Sequence, residues 1–191
     1  MARLILASSS PRRKELLEQV GLKFEIFSPD IDEAVLLNEQ IEDYVQRLAV
    51  HKAQAVLSQY PDATVIAADT SLVLNHQIIG KPESKQHAFE IWTALSDQKH
   101  DVLSGVCVAT AQQLKKTVVR TRVEFQHLSH QMMEAYWATG EPIGKAGGYA
   151  IQGQAAQFIP RIEGSYSNVV GLPLHETMLL LKQVNGYDES K

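Results

Sequence analysis

A six-residue segment near the start of the chain combines hydroxyl groups with guanidinium groups. It reads Ser8-Ser9-Ser10-Pro11-Arg12-Arg13 and follows the apolar run 4–7, which is typical of a buried strand. Proline suits the first turn of a helix and serine is a favoured N-cap, so the segment predicts a strand, a loop and a helix capped by Ser10. Hydroxyls, backbone N–H groups and guanidinium groups at one helix start suit a phosphate. The alternative is an ordinary capped surface helix with solvated arginines.

A carboxylate follows a second apolar run. Asp69 comes directly after the run 65–68, which reads Val-Ile-Ala-Ala and is typical of a buried strand. We expect that strand to end at Asp69, so that the side chain leaves the core and enters a cleft, where catalytic groups of α/β proteins tend to lie. The alternative is a turn aspartate that caps Ser71.

Two further segments carry charges that suit a phosphate or a metal ion. Lys81 stands between Gly80 and Pro82, on a predicted tight turn from which its ammonium can reach an anion. Asp32 and Glu33 lie in an acidic loop and offer the hard oxygen ligands that Mg²⁺ and Mn²⁺ prefer. Taken alone, each segment also fits a solvated surface.

Lys52 and Cys107 are polar or reactive residues in apolar surroundings. Lys52 lies beside Ala53 on the apolar face of a predicted long helix, where a lysine either extends to solvent or meets an anion. Cys107 lies in an apolar run and is predicted to be a buried structural thiol. The histidines show no zinc-ligand spacing, so they are interpreted as surface or core residues.

These residues must be positioned by elements that alternate between strand and helix patterns early in the chain, with longer antiparallel patterns later. The predicted strands are 3–7, 23–27, 63–68, 101–110, 117–126 and 158–162, with a hairpin of 71–74 and 77–79 around Asn75 and His76. The predicted helices are 11–20, 41–60, 84–95, 129–139 and 172–184. This order favours a mixed α/β or α+β sheet, and the Rossmann and Walker glycine patterns are absent.

Composition bounds the class of protein. A length of 191 residues with 45% hydrophobic and 21% charged residues indicates a globular chain with one domain, which can have two lobes. No apolar run approaches the ~18 residues of a membrane span, and the apolar start is too short for a signal peptide. With a single cysteine, this predicts a cytoplasmic protein without a membrane partner. A net charge of −4 argues against nucleic acid as the main partner.

Six segments, in order along nearly the whole chain, resemble the Maf family of nucleoside triphosphate pyrophosphatases. They are Leu-Ala-Ser-Ser-Ser-Pro-Arg-Arg at 6–13, Ala-Asp-Thr at 68–70, Gly-Lys-Pro at 80–82, and the segments 145–153, 162–166 and 168–174. The resemblance implies a fold similar to that of the inosine-triphosphatase group. That fold is an elongated, twisted mixed sheet flanked by helices, in two lobes with a central cleft, and residues 1–191 form one such domain.

The resemblance also implies an activity and its residues. A nucleoside triphosphate is hydrolysed to the monophosphate and pyrophosphate with Mg²⁺ or Mn²⁺, and the chain forms a homodimer. By motif match, the catalytic residues are Asp69 as general base, Lys81 and Glu33, and the metal ligands are Glu33 and Asp69. The substrate-binding residues are Ser8, Ser10, Arg12, Arg13, Lys52, Thr70 and Gln152.

Three of these positions sort substrates within the family, namely Arg12, Thr70 and Gln152. The set resembles the branch that acts on dTTP and UTP, and modified pyrimidine triphosphates fit the same pattern. A glutamine amide both accepts from the ring N3–H and donates to a ring carbonyl, whereas an ionised glutamate only accepts, which suits guanine. The alternatives are a methylated-GTP pyrophosphatase and a nucleotide-binding regulator of septum formation with little turnover. Asp69 favours an enzyme, because a pure binder has no use for a carboxylate beside a polyanion.

Overall fold

The computed structural model describes residues 3–75 and 77–184 as a mixed sheet with helices. The strands are β1 (Arg3–Leu6), β2 (Glu25–Ile26), β3 (Ala63–Leu74), β4 (Gln77–Ile79), β5 (Lys99–Ala109), β6 (Leu114–Glu124) and β7 (Arg161–Glu163). The helices are α1 (Pro11–Gln19), α2 (Ile41–Leu57), α3 (Lys85–Leu95), α4 (His130–Ala138), α5 (Tyr166–Val170) and α6 (Leu174–Gln183). Two short 3-10 helices span Ala146–Gly148 and Gln154–Phe158.

The sheet contains both parallel and antiparallel pairs. Its strand order is β2-β1-β3-β5-β6-β7, with β4 paired to β3. β1 runs parallel to β2 and β3, whereas β4 is antiparallel to β3 and β7 is antiparallel to β6. The predicted mixed α/β sheet with helices is therefore confirmed. The predicted hairpin includes His76, which lies outside the described residues.

The prediction that a strand ends at Asp69 is wrong. β3 continues to Leu74, because its last residues pair with β4, with Leu72 opposite Ile79. The sequence predicts 63–68 and 71–74 as separate strands, but the structure joins them into one strand through Asp69 and Thr70. Burial nevertheless changes at the expected point, because the strand is buried through Ala68 and partly exposed at Asp69 and its neighbour. Asp69 therefore leaves the core in the middle of a strand.

Some predicted elements differ only in their bounds. The predicted helix 41–60 ends at Leu57, and the strands predicted over 101–110 and 117–126 span Lys99–Ala109 and Leu114–Glu124. Three other predicted elements differ more. The run 23–27 yields only the two exposed residues of β2, since the four-residue strand β1 offers few partners. The predicted strand 158–162 begins only at Arg161, because the chain up to Phe158 coils into a 3-10 helix. The last predicted helix begins at Leu174, with Pro173 in the N-cap position, and α5 precedes it as a separate helix.

The chain divides into two compact units. The first comprises Met1–Thr70, Ser104–Val119 and Gly171–Lys191, and the second comprises Ser71–Leu103 and Arg120–Val170. Strands β3, β5 and β6 contribute residues to both units. The single domain of two lobes stays a prediction. Among the described residues, every helix is too short or too polar to cross a membrane.

Small side chains make up much of the core of the first unit. They come from β1, α2, β3 and β5 and include Ala7, Ala49, Ala53, Ala63, Ala67, Cys107 and Ala109. Small residues let a helix approach a sheet closely. Lys52 follows Ala49 by three positions and precedes Val56 by four, so it lies on the same buried face of α2. The predicted burial of Cys107 is confirmed, and burial raises the pKa of its thiol to about 12.

Aromatic rings dominate the core of the second unit. Trp92 lies 5.3 Å from Tyr136, and Tyr136 lies 5.4 Å from Phe158, measured between ring centroids. Phe125 and Tyr149 form a closer pair at 4.9 Å. Tilted and edge-on pairs of this kind stabilise a fold by roughly 0.5–1.5 kcal/mol each beyond simple burial. Large rigid side chains therefore pack together to form the core of the second unit.

Candidate active site

The loop that follows β1 begins at the level of the sheet where β3 reaches Asp69 and Thr70. β1 and β3 are parallel with Leu6 opposite Ile66, and the Ala7 N–H donates to the Ile66 carbonyl at 2.8 Å. Ser8 therefore leaves the sheet near the level at which Asp69 and Thr70 become partly exposed. Strand pairing brings these segments together although they are far apart in the sequence.

The helix start has the predicted form but a different serine supplies the side-chain bond. α1 begins at Pro11 with Ser10 in the N-cap position, where the Ser10 carbonyl accepts from the Lys14 N–H at 3.2 Å. The expected cap by the Ser10 hydroxyl is wrong, because that side chain makes no capping bond. The Ser8 Oγ instead accepts from the Ser10 N–H at 3.2 Å. Ser8 thus stabilises the turn that leads into the helix.

Arg13 is a partly buried cation held by three neutral oxygens. Its Nε donates to the Gly171 carbonyl at 2.8 Å, and its two terminal nitrogens donate to Ser8 Oγ at 3.1 Å and Thr70 Oγ1 at 3.2 Å. Burial lowers the pKa of the guanidinium, although the nearby charge of Asp69 acts in the opposite direction. Arg12, the preceding residue, is partly buried, and burial also lowers the pKa of its guanidinium. Their mutual repulsion favours an anion at this helix start.

The Thr70 hydroxyl is occupied by protein groups. It donates to the Gly171 carbonyl at 3.1 Å, lies 2.7 Å from Ser104 Oγ and accepts from Arg13. A hydroxyl has one hydrogen and two lone pairs, so these three contacts use its full capacity when Ser104 is the donor. We therefore interpret Thr70 as a residue that fixes Arg13. Sequence reasoning missed Ser104, which lies within an apolar strand and carries no charge signal.

Lys52 joins two carboxylates. Its Nζ lies 2.7 Å from Asp69 Oδ1 and 2.7 Å from Glu33 Oε1. The Lys52 and Asp69 side chains are only 11% and 13% exposed, whereas Glu33 is 53% exposed. Of the two possibilities for Lys52, the structure shows contact with anions. Three residues that the sequence singled out separately therefore form one cluster.

The acidic loop that carries Glu33 is anchored to α2 by residues that sequence reasoning missed. The Arg47 guanidinium donates to the Glu39 carboxylate at 2.5 and 2.7 Å and to the Ala34 carbonyl at 2.9 Å. The Tyr44 hydroxyl donates to the Glu33 carbonyl at 3.0 Å. The hydrogen bond from Arg47 lowers the pKa of Glu39 to about 2. Tyr44 and Arg47 lie three positions apart, and this spacing could have indicated that both side chains lie on one side of α2.

Lys81 and Gln152 belong to the second unit and lie outside its helices and strands. Residues 80–82 form a loop rather than the predicted tight turn. Gly147 donates its N–H to the Gly80 carbonyl at 2.9 Å and accepts from the Trp92 indole at 3.2 Å, which fixes the loop that carries Lys81. Gly147 has a φ of 67°, and a Cβ there would lie 2.6 Å from Leu72 Cδ1. Only glycine meets both conditions without strain.

Gln152 is an exposed residue on the turn that closes with the Gly153 N–H donating to the Ala150 carbonyl at 3.0 Å. The candidate residues therefore fall into three described groups. Five of them surround the start of α1, namely Ser8, Ser10, Arg12, Arg13 and Thr70. Glu33, Lys52 and Asp69 form the carboxylate cluster. In the second unit, Lys81 lies in a loop and Gln152 on a turn. Their predicted roles toward a substrate stay predictions.

The carboxylate cluster suits a hard divalent cation that binds through two carboxylates, and it does not form a full set of protein ligands around a metal ion. The described residues contain no group of three or more His, Cys, Asp or Glu side chains that could hold a metal ion. Mg²⁺ usually keeps several waters and binds through one or two carboxylates together with substrate phosphates. Glu33 and Asp69 both approach the Lys52 ammonium, so they supply two such carboxylates at one place.

The fold and this site define an α/β protein with a cationic, hydroxyl-rich helix start beside a lysine-bridged carboxylate pair. The family model described as Maf-like protein matches residues 3–184, and the chain belongs to this family. A dTTP/UTP pyrophosphatase of Acinetobacter baylyi is 63% identical over 183 residues, covering 96% of this chain and 100% of the relative.

A dTTP/UTP pyrophosphatase of Vibrio parahaemolyticus is 48% identical over 181 residues, covering 94% of this chain and 96% of the relative. The solved structure of the Staphylococcus aureus Ham1 protein has a TM-score of 0.52 at 14% identity and covers 95% of this chain and 100% of that one. This last likeness supports the fold.

Proposed function

We propose that this chain hydrolyses dTTP and UTP, with modified pyrimidine triphosphates, to the nucleoside monophosphate and pyrophosphate. Its relatives carry the name dTTP/UTP pyrophosphatase. The observation that carries the proposal is the Lys52 ammonium, which lies 2.7 Å from a carboxylate oxygen of both Asp69 and Glu33. A fixed carboxylate beside an anion-binding helix start is what hydrolysis of a phosphoanhydride requires.

In this proposal Asp69 is the general base. It takes a proton from a water molecule, whose oxygen attacks the α-phosphorus. The bond between that phosphorus and the bridging oxygen of the leaving pyrophosphate breaks. Lys52 orients Asp69 through the 2.7 Å contact. Because Lys52 is buried on α2, the carboxylate is held by a rigid element.

Cations hold the triphosphate while negative charge develops on its oxygens. Arg12, Arg13 and Lys81 supply positive charge, and Ser8 and Ser10 supply hydroxyl groups. Charge-assisted hydrogen bonds contribute roughly 1.5–3 kcal/mol each, so a few of them bind a polyanion despite the net charge of −4. Glu33 and Asp69 would hold Mg²⁺ or Mn²⁺, which supplies further charge neutralisation to the phosphate oxygens.

Gln152 contacts the base in this proposal. Its amide accepts from the N3–H of uracil or thymine and donates to the neighbouring carbonyl. A homodimer, expected from the family resemblance, completes the proposal.

A pyrophosphate-release screen over nucleoside triphosphates, with Mg²⁺ and with Mn²⁺, tests the proposal. We expect turnover of UTP and dTTP above that of purine triphosphates. Asp69→Asn should lower kcat at least ~100-fold, as loss of a general base does, while UTP still binds. Asp62→Asn, at an exposed position, is the matched control and should behave as the unaltered chain. No turnover of any triphosphate by the unaltered chain would contradict the enzyme and favour a nucleotide-binding regulator.

A further inference from the structure

Glu141 lies in the second unit, after α4, and its carboxylate accepts three hydrogen bonds, two of them from backbone N–H groups 13 and 14 residues further along the chain. The Tyr136 hydroxyl donates to Glu141 Oε1 at 2.7 Å. The Gln154 N–H donates to Oε2 at 2.8 Å, and the Ala155 N–H donates to Oε1 at 3.3 Å. A carboxylate that accepts backbone N–H groups in this way fixes the path of the backbone.

The fit at Gly153 shows how closely this carboxylate approaches the turn. A Cβ placed on Gly153 would collide with all three atoms of the Glu141 carboxyl group. Only glycine therefore allows the Glu141 side chain to reach the N–H groups that follow. The pairing of Gly153 with Glu141 explains a glycine that the sequence pattern could not interpret.

Tyr136 extends the contact to the other side of the same turn. Its hydroxyl donates to Glu141 and accepts from the Ala150 N–H at 3.3 Å. The Tyr136 ring is buried against Trp92 and Phe158, so the hydroxyl cannot drift. Glu141 and Tyr136 thus accept hydrogen bonds from backbone N–H groups both before and after Gln152, and these bonds hold the turn.

The electrostatics of the pair match this geometry. Burial alone would raise the pKa of Glu141, but the hydrogen bonds from Tyr136 and from two backbone N–H groups outweigh burial and lower it. The Lys145 ammonium donates to the Glu141 carbonyl at 2.5 Å, which ties the main chain of Glu141 as well. The carboxylate is therefore ionised and held in place at neutral pH.

We propose that Glu141 is a positioning residue that holds the turn carrying Gln152, so that the Gln152 amide can distinguish one pyrimidine base from another. This inference rests on the proposed function, in which Gln152 contacts the base. An amide can reverse and pair with cytosine as well as with uracil. Selectivity for UTP over CTP therefore depends on how firmly Gln152 is held.

Glu141→Gln is the first test. The amide keeps the size of the side chain, but its NH₂ group faces a donor, so one hydrogen bond is lost. We expect KM for UTP to rise about tenfold with kcat within about threefold, and the UTP-to-CTP selectivity to fall about tenfold. Inhibition by tripolyphosphate, which has no base, should stay unchanged, because that probe reports only on phosphate binding.

Two further variants make the result specific. Tyr136→Phe keeps the aromatic packing and removes the hydroxyl between Glu141 and Ala150, so it should lower the same selectivity. Glu134→Gln is the matched control, because Glu134 lies on α4 with Tyr136 and pairs with Lys85 at the surface. This control should leave the selectivity unchanged.

The inference is overturned if Glu141→Gln keeps the selectivity of the unaltered chain, or if tripolyphosphate inhibition weakens in parallel with UTP use. Equilibrium binding of UTP and CTP, measured by calorimetry with Mg²⁺, reports the same selectivity without turnover. Absence of turnover in the unaltered chain therefore contradicts the proposed function, whereas unchanged binding selectivity in Glu141→Gln contradicts this inference.

Discussion

The two units hold their candidate functional groups in different ways. In the first unit, Lys52 and Asp69 lie on a long helix and a long strand, and their side chains contact directly. In the second, Gln152 lies on a turn and Lys81 in a loop, and other residues hold their backbone through hydrogen bonds and glycines. The proposed general base, Asp69, thus lies on a regular element, whereas the group proposed for base recognition lies on a turn held by a scaffold.

The largest effect is expected where side chains of the first unit meet directly. Lys52→Met leaves Asp69 and Glu33 without their shared cation and lets two like charges repel. We expect kcat/KM for UTP to fall about 1,000-fold, because the variant loses the Lys52 ammonium on α2 and no longer orients Asp69, the proposed base. Steady-state pyrophosphate release measures this. Lys14→Met, which removes an exposed lysine of α1, is the control, and an equal loss there would contradict the role of Lys52.

The second unit should show a pH dependence of its stability through His100. This side chain is 2% exposed, and burial lowers its pKa to about 4. The unfolded chain then binds the proton at higher pH than the folded chain, so stability falls as pH decreases from about 6.5 to about 4. The slope contributed is up to about 1.4 kcal/mol per pH unit.

Urea unfolding followed by tryptophan fluorescence measures this slope. Both tryptophans, Trp92 and Trp137, belong to the second unit, so the signal reports on that unit. His100→Gln retains a hydrogen-bonding group for the Tyr149 hydroxyl and removes the titrating ring. We expect the slope between pH 6.5 and pH 4 to become shallower in this variant. An unchanged slope would assign the pH dependence to other groups.

A pair of glycine variants tests whether the loop carrying Lys81 depends on the close approach of Gly147 to Leu72. Gly147→Ala combines a positive φ with a Cβ 2.6 Å from Leu72 Cδ1. Gly144→Ala has a φ of 74° and an open Cβ position, so it measures the backbone strain alone. We expect Gly147→Ala to lower the free energy of unfolding by about 2 kcal/mol and Gly144→Ala by about 1 kcal/mol. Equal losses in urea unfolding would show that the contact with Leu72 is relieved easily.

The smallest effect is expected at Thr70, which fixes Arg13 through one of three hydrogen bonds. Thr70→Val keeps the shape and removes the hydroxyl, leaving Arg13 with Gly171 and Ser8. We expect KM for UTP to rise about tenfold with little change in kcat. Thr117→Val on β6 is the control for loss of a partly exposed strand threonine. A large fall in kcat would instead indicate that Thr70 acts on the reacting groups.

Local patterns predicted the elements whose causes lie within a few residues. Pro11 starts α1 because a proline at that position loses no helical hydrogen bond, and Ser129 caps α4 by accepting from the Met132 N–H. The buried parts of β1 and β3 were also predicted, because an apolar run is a local property of the sequence. By contrast, the patterns predicted 63–68 and 71–74 as separate strands, whereas β3 runs through Asp69 without a break and pairs with β4 at its last residues.

The candidate site divides along the same line. Motif order identified Ser8, Arg13, Lys52, Asp69 and Glu33 as residues for one chemistry. It could not predict that Lys52 lies between the two carboxylates, because their separation depends on how the acidic loop is anchored by Arg47 and Tyr44. It also missed Ser104 and Glu141, which act on other residues and carry no pattern of their own.

The sequence by itself therefore determined the class of fold, the family and the set of groups that we propose to bind phosphate and activate water. Charge, hydroxyl content and element starts are local properties, and they can be read along the chain. Only the tertiary structure decided which of these groups contact one another, that the Thr70 hydroxyl is used on Arg13 and Gly171, and that Glu141 holds the turn of Gln152. Such contacts join residues distant in sequence, and strand register, helix packing and glycine-dependent close approach set them.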